Sequence, residues 1–177
     1  KESGQQLLHL INDTLDLAKI ESGHIEVHKS SVNVNELLMQ TCELMEPLAE
    51  KQAIVLERKD TDDNDLTIYT DQAKIQQVLL NFVSNAIKYN HEQGTVTLSC
   101  NKTTYAKVRI NVTDTGKGIA EHYHTALFDP FNRLGQESSS IQGTGIGLTI
   151  CQQLVDLLGG EIGAYQNSDV GMTFWVE

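Results

Sequence analysis

Residues 71–90 read DQAKIQQVLLNFVSNAIKYN. Ile75, Val78, Leu79, Phe82, Val83, Ala86 and Ile87 recur at helical spacing, so this segment forms a helix with one broad apolar face to bury. The same period sorts its polar residues. Asn81, Asn85 and Lys88 are spaced by four and three, which stacks two amides and an ammonium in successive turns. An amide carbonyl is an oxygen donor of the kind Mg²⁺ takes beside phosphate and water, and a lysine supplies point charge to phosphates. A solvated polar face explains the three residues equally well when they are taken alone.

Upstream of this helix, AIVLER (53–58) and LTIYT (66–70) read as strands, and the acidic tip DTDDND (60–65) between them reads as a solvated hairpin loop. The tip lacks the Gly and the closing Glu of a calcium loop. Asn33 followed by Glu36 has the form of a capping box opening a helix through Leu37, Leu38, Cys42 and Met45 towards Lys51, with Pro47 placed to kink it. Before it, Ile25 and Val27 alternate with polar neighbours as a short edge strand does. Earlier still, Leu8, Ile11, Leu15 and Ala18 have the seam spacing of a bundle helix ending at Gly23. Such a seam needs a partner, so residues 1–23 are expected to be half of a helical hairpin that another chain completes.

Downstream, strands are expected at 95–100 and 106–113, a helix at 145–158, and closing strands at 161–166 and 172–176. The fold class is a mixed α/β (α+β) two-layer sandwich. Six of the 13 glycines (Gly116, Gly118, Gly135, Gly143, Gly145 and Gly147) fall between Asp114 and Gly147. In DTGKGI and GTGIGL they let the backbone approach a ligand closely, and the second cluster opens into a helix whose terminal amides suit phosphate oxygens. Taken alone, that second motif is equally an ordinary strand-to-helix turn.

Composition narrows the function. With 13 Lys and Arg against 24 Asp and Glu the formal charge is −11, which disfavours nucleic acid and anionic membrane surfaces as partners. No apolar run is long enough for a membrane span and the start has no signal-peptide order, so the chain reads as cytoplasmic. Cys42, Cys100 and Cys151 are odd in number and far apart, which leaves reduced thiols rather than a disulfide framework or a metal pair.

NFVSNAIKYN, DTGKGI, FDPFNRL and GTGIGLTI stand in the order and approximate spacing of the N, G1, F and G2 boxes of sensor histidine kinases, a family the whole chain resembles. LLHLINDTLDLAKIESG is similar to the end of the dimerisation and phosphotransfer hairpin that precedes the catalytic domain in that family. The resemblance implies the Bergerat ATP-binding fold, a mixed and mainly antiparallel sheet packed on helices, over residues 24–177, with residues 1–23 as a helical arm. It implies that Asp114 accepts a hydrogen bond from the adenine amino group, that Asn85 ligates Mg²⁺ with Asn81 as its partner, and that Lys88 and Arg133 approach the phosphates. Tyr89 is then a neighbour of the nucleotide. Gly116, Gly118 and Ile119 shape the adenine pocket, and Gly143, Thr144, Gly145, Gly147 and Leu148 bracket the phosphates. Residues from about 131 to 142 form the ATP lid, anchored by Phe128 and Phe131. The implied cofactors are ATP and Mg²⁺. The implied partners are ATP or ADP, a response-regulator receiver domain, fused or separate, and a second copy of the intact protein joined through the hairpin. The resemblance allows a membrane-anchored parent kinase and does not decide it.

ATP is strongly anionic, so local cations at Lys88, Lys117 and Arg133, the helix-end amides and Mg²⁺ must override a global charge that salt screens beyond about 8–10 Å. Marked Mg²⁺ dependence of binding is therefore expected. One departure from the family pattern matters. None of the six histidines has the acidic neighbour and position of a phosphoacceptor: His9, His24, His28, His122 and His124 lack the acid, and His91 follows the N box. The chain is expected to bind ATP and to leave the acceptor histidine to a segment outside these residues. Two other readings share the motifs. Bergerat ATPases carry a water-activating carboxylate where this chain has Asn81, an amide that cannot act as a base. A noncatalytic nucleotide-sensing or dimerisation module would keep the pocket and transfer nothing.

Overall fold

The computed structural model describes residues 11, 14, 15, 18, 20, 22, 25–59, 63, 66–103, 107–132 and 144–177. Its elements run β1 (Ser30–Asn33), α1 (Val34–Lys51), β2 (Val55–Lys59), β3 (Thr67–Thr70), α2 (Gln72–Lys88), β4 (Thr95–Lys102), β5 (Val108–Asp114), a 3-10 helix (Glu121–Ala126), α3 (Gly147–Leu158), β6 (Ile162–Gln166) and β7 (Met172–Val176). Five strands form one sheet in the order β2-β4-β5-β7-β6, with β2 parallel to β4 and the other pairs antiparallel. The parallel pair requires a crossover, and α2 lies within it. This is the expected mixed sandwich.

The core forms where alternating strand residues meet the helices. Val96 and Leu98 on β4, Ile110 and Val112 on β5, and Phe174 and Val176 on β7 are buried, as are all seven apolar residues expected on the inner face of α2. Phe82 on α2 meets Phe174 on β7 with ring centroids 5.4 Å apart. This packing holds the polar face of α2 in one position relative to the end of β5. Cys42, Cys100 and Cys151 form no disulfide with one another, and burial pushes the Cys151 thiol far up, leaving it inert at neutral pH.

The capping prediction at Asn33 holds. Asn33 Oδ1 accepts from the Glu36 amide at 3.0 Å, opening α1, which continues through Pro47 to Lys51. Asp71 caps α2, its Oδ1 accepting from the Lys74 amide at 3.2 Å. Two expectations fail. The 53–58 and 66–70 strands are not partners in a hairpin: β2 pairs with β4 across the crossover, while β3 pairs antiparallel with β1 in a separate two-stranded sheet. Local turn chemistry cannot show that a strand's best partner lies 40 residues on. The edge strand placed at Ile25 and Val27 begins instead at Ser30, and residues 25–29 have no regular structure. The register of β1 is set by burying Val32 and by pairing with β3, and no local alternation reports either. The 3-10 helix, whose six residues are all at least partly exposed, carries no apolar period to announce it. In the expected arm, Ile11, Thr14, Leu15, Ala18 and Ile20 are helical, with Ile11 and Leu15 exposed and Ile20 packed on the core. Leu8 and Gly23 lie outside the described residues, as does most of the acidic tip.

Asp71 also holds the segment that leads from this arm. Its Oδ2 accepts from the His28 amide at 2.9 Å and from Lys74 Nζ at 3.1 Å, while Lys29 Nζ donates to the Leu158 carbonyl at the end of α3 at 2.7 Å. Burial of the Asp71 carboxyl favours its neutral form. The His28 and Lys74 bonds outweigh that, so the group sits below the usual carboxylate range. A depressed carboxyl stabilises the fold at pH values above its unfolded pKa and loses that contribution as pH falls through the folded one. Asp71→Ala is expected to cost about 1–2 kcal/mol at neutral pH, the range of a lost cap. Unfolding measured from pH 7 downwards should show the gap between wild type and variant closing below the ordinary carboxylate range. A gap that stays constant down to pH 2 would assign the cost to lost packing instead.

Candidate functional site

Three segments far apart in sequence meet at one end of α2. The first is the last two turns of that helix. Asn85 Nδ2 donates to Asn81 Oδ1 at 2.9 Å, so the amides stack as their i, i+4 spacing requires, and the bond leaves the Asn85 carbonyl oxygen as an acceptor. Lys88 Nζ lies 4.8 Å from the centroid of the Tyr89 ring, a cation held over an aromatic face.

The second is the loop after β5. Asp114 is its last strand residue and is 8% exposed. Asp114 Oδ1 accepts from the amides of Gly116 at 2.8 Å and Met172 at 3.2 Å, so one carboxylate oxygen is engaged by the backbone, and among the described residues no such bond is made to the other. Burial raises the carboxyl's pKa above the usual range, with those two bonds partly opposing the shift. A side chain at Gly116 would start 2.7 Å from the Tyr89 carbonyl oxygen and 3.0 Å from Asp114 Oδ1, which is why this position is glycine and how the end of α2 abuts the loop. Asn90 strengthens the junction, its Nδ2 donating to the Thr95 carbonyl while its Oδ1 accepts from the Thr115 hydroxyl at 3.2 Å. Gly118 lies against the Gln166 side chain, and the next amide, that of Ile119, donates to Gln166 Oε1 at 3.3 Å. The Ile119 carbonyl faces His124 Nε2 at 2.9 Å.

The third is the start of α3. Gly147 packs against the Asn81 amide so closely that any Cβ there would displace it. Gly145 has φ +72°, a conformation that L side chains rarely adopt, and its backbone abuts that of Phe131. Thr144 Oγ1 accepts from the Ile146 amide at 3.3 Å, whereas among the described residues the helix cap itself has no side-chain hydrogen bond. The head of α3 therefore lies against the Asn81 side chain, and the backbone amides of a helix N-terminus are a donor set suited to phosphate oxygens. Leu148 is half-buried and packs on the core, so it shapes this end of the site from behind. Thr149 ties the segment to the F-box sequence, its hydroxyl donating to the Phe128 carbonyl at 2.9 Å, and the Phe131 amide donates to the Gly145 carbonyl at 2.9 Å.

The site residues anticipated from sequence thus converge wherever they are described: Asn81, Asn85, Lys88, Tyr89, Asp114, Gly116, Gly118, Ile119, Thr144, Gly145, Gly147 and Leu148. Arg133 and Gly143, with the expected lid centre, lie outside the described residues. One anchoring role needs correction. Phe128 packs on the core, but Phe131 is 64% exposed with φ +61°, so its ring is not a hydrophobic anchor and its backbone, not its side chain, makes the tie to Gly145. Sequence reasoning also missed Met172, Gln166, Asn167 and Thr149. Met172 acts through its backbone amide and leaves no signature. Gln166 ends β6, Asn167 lies in the turn that follows and Thr149 lies in the first turn of α3, and no local pattern marks any of the three as part of the site.

An Asn-Asn amide pair with an available carbonyl oxygen, uncapped helix amides beside it and a buried carboxylate with one oxygen held by the backbone fit a Mg²⁺-bound adenine nucleotide. Residues 70–177 match the family of histidine kinase-, DNA gyrase B- and HSP90-like ATPases. The chain is 34% identical over 181 residues to the sensor protein GacS of Pseudomonas syringae pv. syringae, an alignment covering 99% of this chain and 20% of that protein. The chain thus spans about a fifth of the length of the curated relatives it matches. Among solved structures, full-length ShkA in complex with AMPPNP superposes with a TM-score of 0.83 at 33% identity, covering 99% of this chain and 36% of that one. The catalytic domain of histidine kinase ThkA gives 0.72 at 32% identity, covering 84% of this chain and 93% of that one, and ThkA in complex with the response regulator protein TrrA gives 0.76 at 27%, covering 99% and 47%. The convergence of site residues, the family match and these likenesses lead to one conclusion: the chain belongs to the histidine kinase-, DNA gyrase B- and HSP90-like ATPases, as an ATP-binding catalytic domain of the sensor histidine kinase type.

Proposed function

We propose that this chain binds Mg²⁺–ATP and presents its γ-phosphoryl group to a histidine outside these 177 residues, from which it passes to a response-regulator aspartate. The observation that carries the reading is the Asn81–Asn85 amide pair with Asn81 packed on Gly147, because it brings an amide pair that can supply a metal-ligand oxygen to the head of α3. Asn85 would ligate Mg²⁺, which when bound neutralises phosphate charge. Asn81 orients Asn85. Lys88 and the helix amides hold phosphate oxygens, with Arg133 and Gly143 assigned to the same end, and Asp114 accepts from the adenine amino group while Tyr89, Gly116, Gly118 and Ile119 enclose the base. Little covalent chemistry falls to the protein in such a transfer; its part is positioning and charge stabilisation. Asn81 cannot serve as a base towards water, which favours transfer over hydrolysis.

Residues 1–23 are assigned to the dimerisation and phosphotransfer hairpin and residues 24–177 to the catalytic domain, with a second copy of the intact protein and a receiver domain as partners and the cytoplasm as the working compartment. ShkA's complex with AMPPNP and ThkA's with TrrA support the nucleotide and the regulator. No helix among the described residues is long and apolar enough to cross a membrane. The test is titration calorimetry with ATP in the presence and absence of Mg²⁺, followed by incubation with γ-labelled ATP and the cognate acceptor hairpin supplied in trans. Affinity should rise about tenfold or more with Mg²⁺, and acid-labile label should appear on the hairpin. Tight binding with no transfer to a hairpin shown to dock would establish the nucleotide-sensing reading in its place.

A further inference from the structure

The turn between β6 and β7 closes on Asp114. Asn167 organises it. Its backbone amide donates to the Gly171 carbonyl at 3.1 Å, and its side-chain Nδ2 donates to both the Val170 carbonyl and the Asp114 carbonyl, each at 3.1 Å. Its Oδ1 accepts from the Thr173 hydroxyl at 2.8 Å, and that hydroxyl lies 2.9 Å from the hydroxyl of Thr113. The direction of every bond is fixed by chemistry. Two carbonyls can accept only from the NH₂ end of the amide, so Oδ1 must face Thr173. Thr173 has one hydroxyl hydrogen and gives it to Asn167, so Thr113 donates to Thr173.

This amide sets more than a turn. Gly171, at φ +85°, stacks on Asp114 so closely that a Cβ would run into the Asp114 carbonyl oxygen and would start 2.9 Å from its Oδ1. The next residue, Met172, supplies one of the two amides that grip that same carboxylate oxygen. Asn167 therefore holds Asp114 twice, directly at its carbonyl and through the turn at its carboxylate. We infer that Asn167 is a positioning residue for base recognition, fixing the orientation of the Asp114 carboxylate so that one oxygen is held by the backbone and the other faces the nucleobase, and thereby the preference for a base that carries an amino group. The inference rests on the reading of Asp114 as the acceptor for adenine.

ADP and IDP separate the two claims, because inosine puts a carbonyl oxygen where adenine has its amino group. A hydrogen bond to a charged group corresponds to about tenfold to hundredfold in affinity, so the wild-type chain should prefer ADP by that factor in calorimetric titration with Mg²⁺. Asn167→Ala should reduce the preference by about fivefold or more. Thr173→Val, nearly isosteric and lacking only the hydroxyl that orients Asn167, should reduce it by about two- to threefold, and it carries the test if the alanine variant does not fold. Adding Asn167→Ala to Asp114→Asn should change the preference no further. A purely structural role lowers affinity for both nucleotides alike and leaves their ratio alone. If the wild type prefers ADP and both variants keep that preference in full, the role of Asn167 is overturned while that of Asp114 stands. If the wild type binds ADP and IDP equally, the assignment of Asp114 falls and the role of Asn167 falls with it.

Discussion

Asp114→Asn is expected to weaken ADP binding about 100-fold while leaving the fold intact, a selective loss that arises from the way the carboxylate is held. Its Oδ1 accepts from two backbone amides, those of Gly116 and Met172, at 2.8 and 3.2 Å. An asparagine must offer its single carbonyl oxygen to those donors, because turning its NH₂ towards two N–H groups would leave all of them unsatisfied. Its NH₂ then faces the base, and an acceptor for the adenine amino group becomes a donor. Losing a hydrogen bond to a charged group costs about 1.5–3 kcal/mol, and donor opposed to donor places the effect at the upper end of that range. Stability moves the other way. Burial raises the Asp114 carboxyl above its usual range, so its ionised form weakens the fold once pH exceeds the unfolded value, and a neutral amide removes that penalty. Thermal unfolding at pH 7 should therefore find the variant as stable as wild type or more so, with the advantage vanishing in acid. An affinity for ADP within threefold of wild type would remove Asp114 from the adenine site.

The parts of this architecture legible in the sequence are those governed by period and by local hydrogen bonding. The inner face of α2 follows from the spacing of its seven apolar residues, and the cap Asn33 stands one residue before its helix, where a side-chain oxygen meets a free amide. The Asn81–Asn85 bond follows from i, i+4 geometry alone. What sequence could not supply is pairing at a distance. The partnership of β2 with β4 depends on the crossover through α2, and that of β3 with β1 depends on burying Val32, so neither leaves a mark in the residues between them. The site divides the same way. Asp114 and the glycines stand in recognisable motifs, whereas Met172 contributes a backbone amide and Asn167 a turn side chain, and a backbone donor is the same for every residue type but proline. Phe131 shows the opposite error, because an aromatic in a motif was expected to be buried and its backbone is what makes the contact.

Phe82→Ala tests whether that distance-dependent packing holds the site together. Phe82 is fully buried on α2, between the two asparagines in sequence, and its ring packs on Phe174 of β7 at 5.4 Å. Truncating a buried phenylalanine to alanine costs about 3–5 kcal/mol, the lost transfer free energy plus that of the cavity left behind. Set against a total stability of about 5–15 kcal/mol for an ordinary domain, the variant is expected to be marginal at 25 °C. The consequence for the site differs from that of Asp114→Asn. No group that meets the nucleotide is removed, so a ligand binding only the folded state should recover part of the loss by mass action, about 2.7 kcal/mol at a free concentration 100 times its dissociation constant. Denaturant unfolding of Phe82→Ala should therefore show a large fall in midpoint without nucleotide and a substantial recovery with saturating Mg²⁺–ADP. A fall below about 1 kcal/mol would mean that α2 is held to the sheet by contacts other than this ring pair. A full-sized fall with no recovery would mean that α2 shifts in the folded variant and carries Asn81 and Asn85 out of register with Gly147, making Phe82 the residue through which the core sets the geometry of the phosphate end.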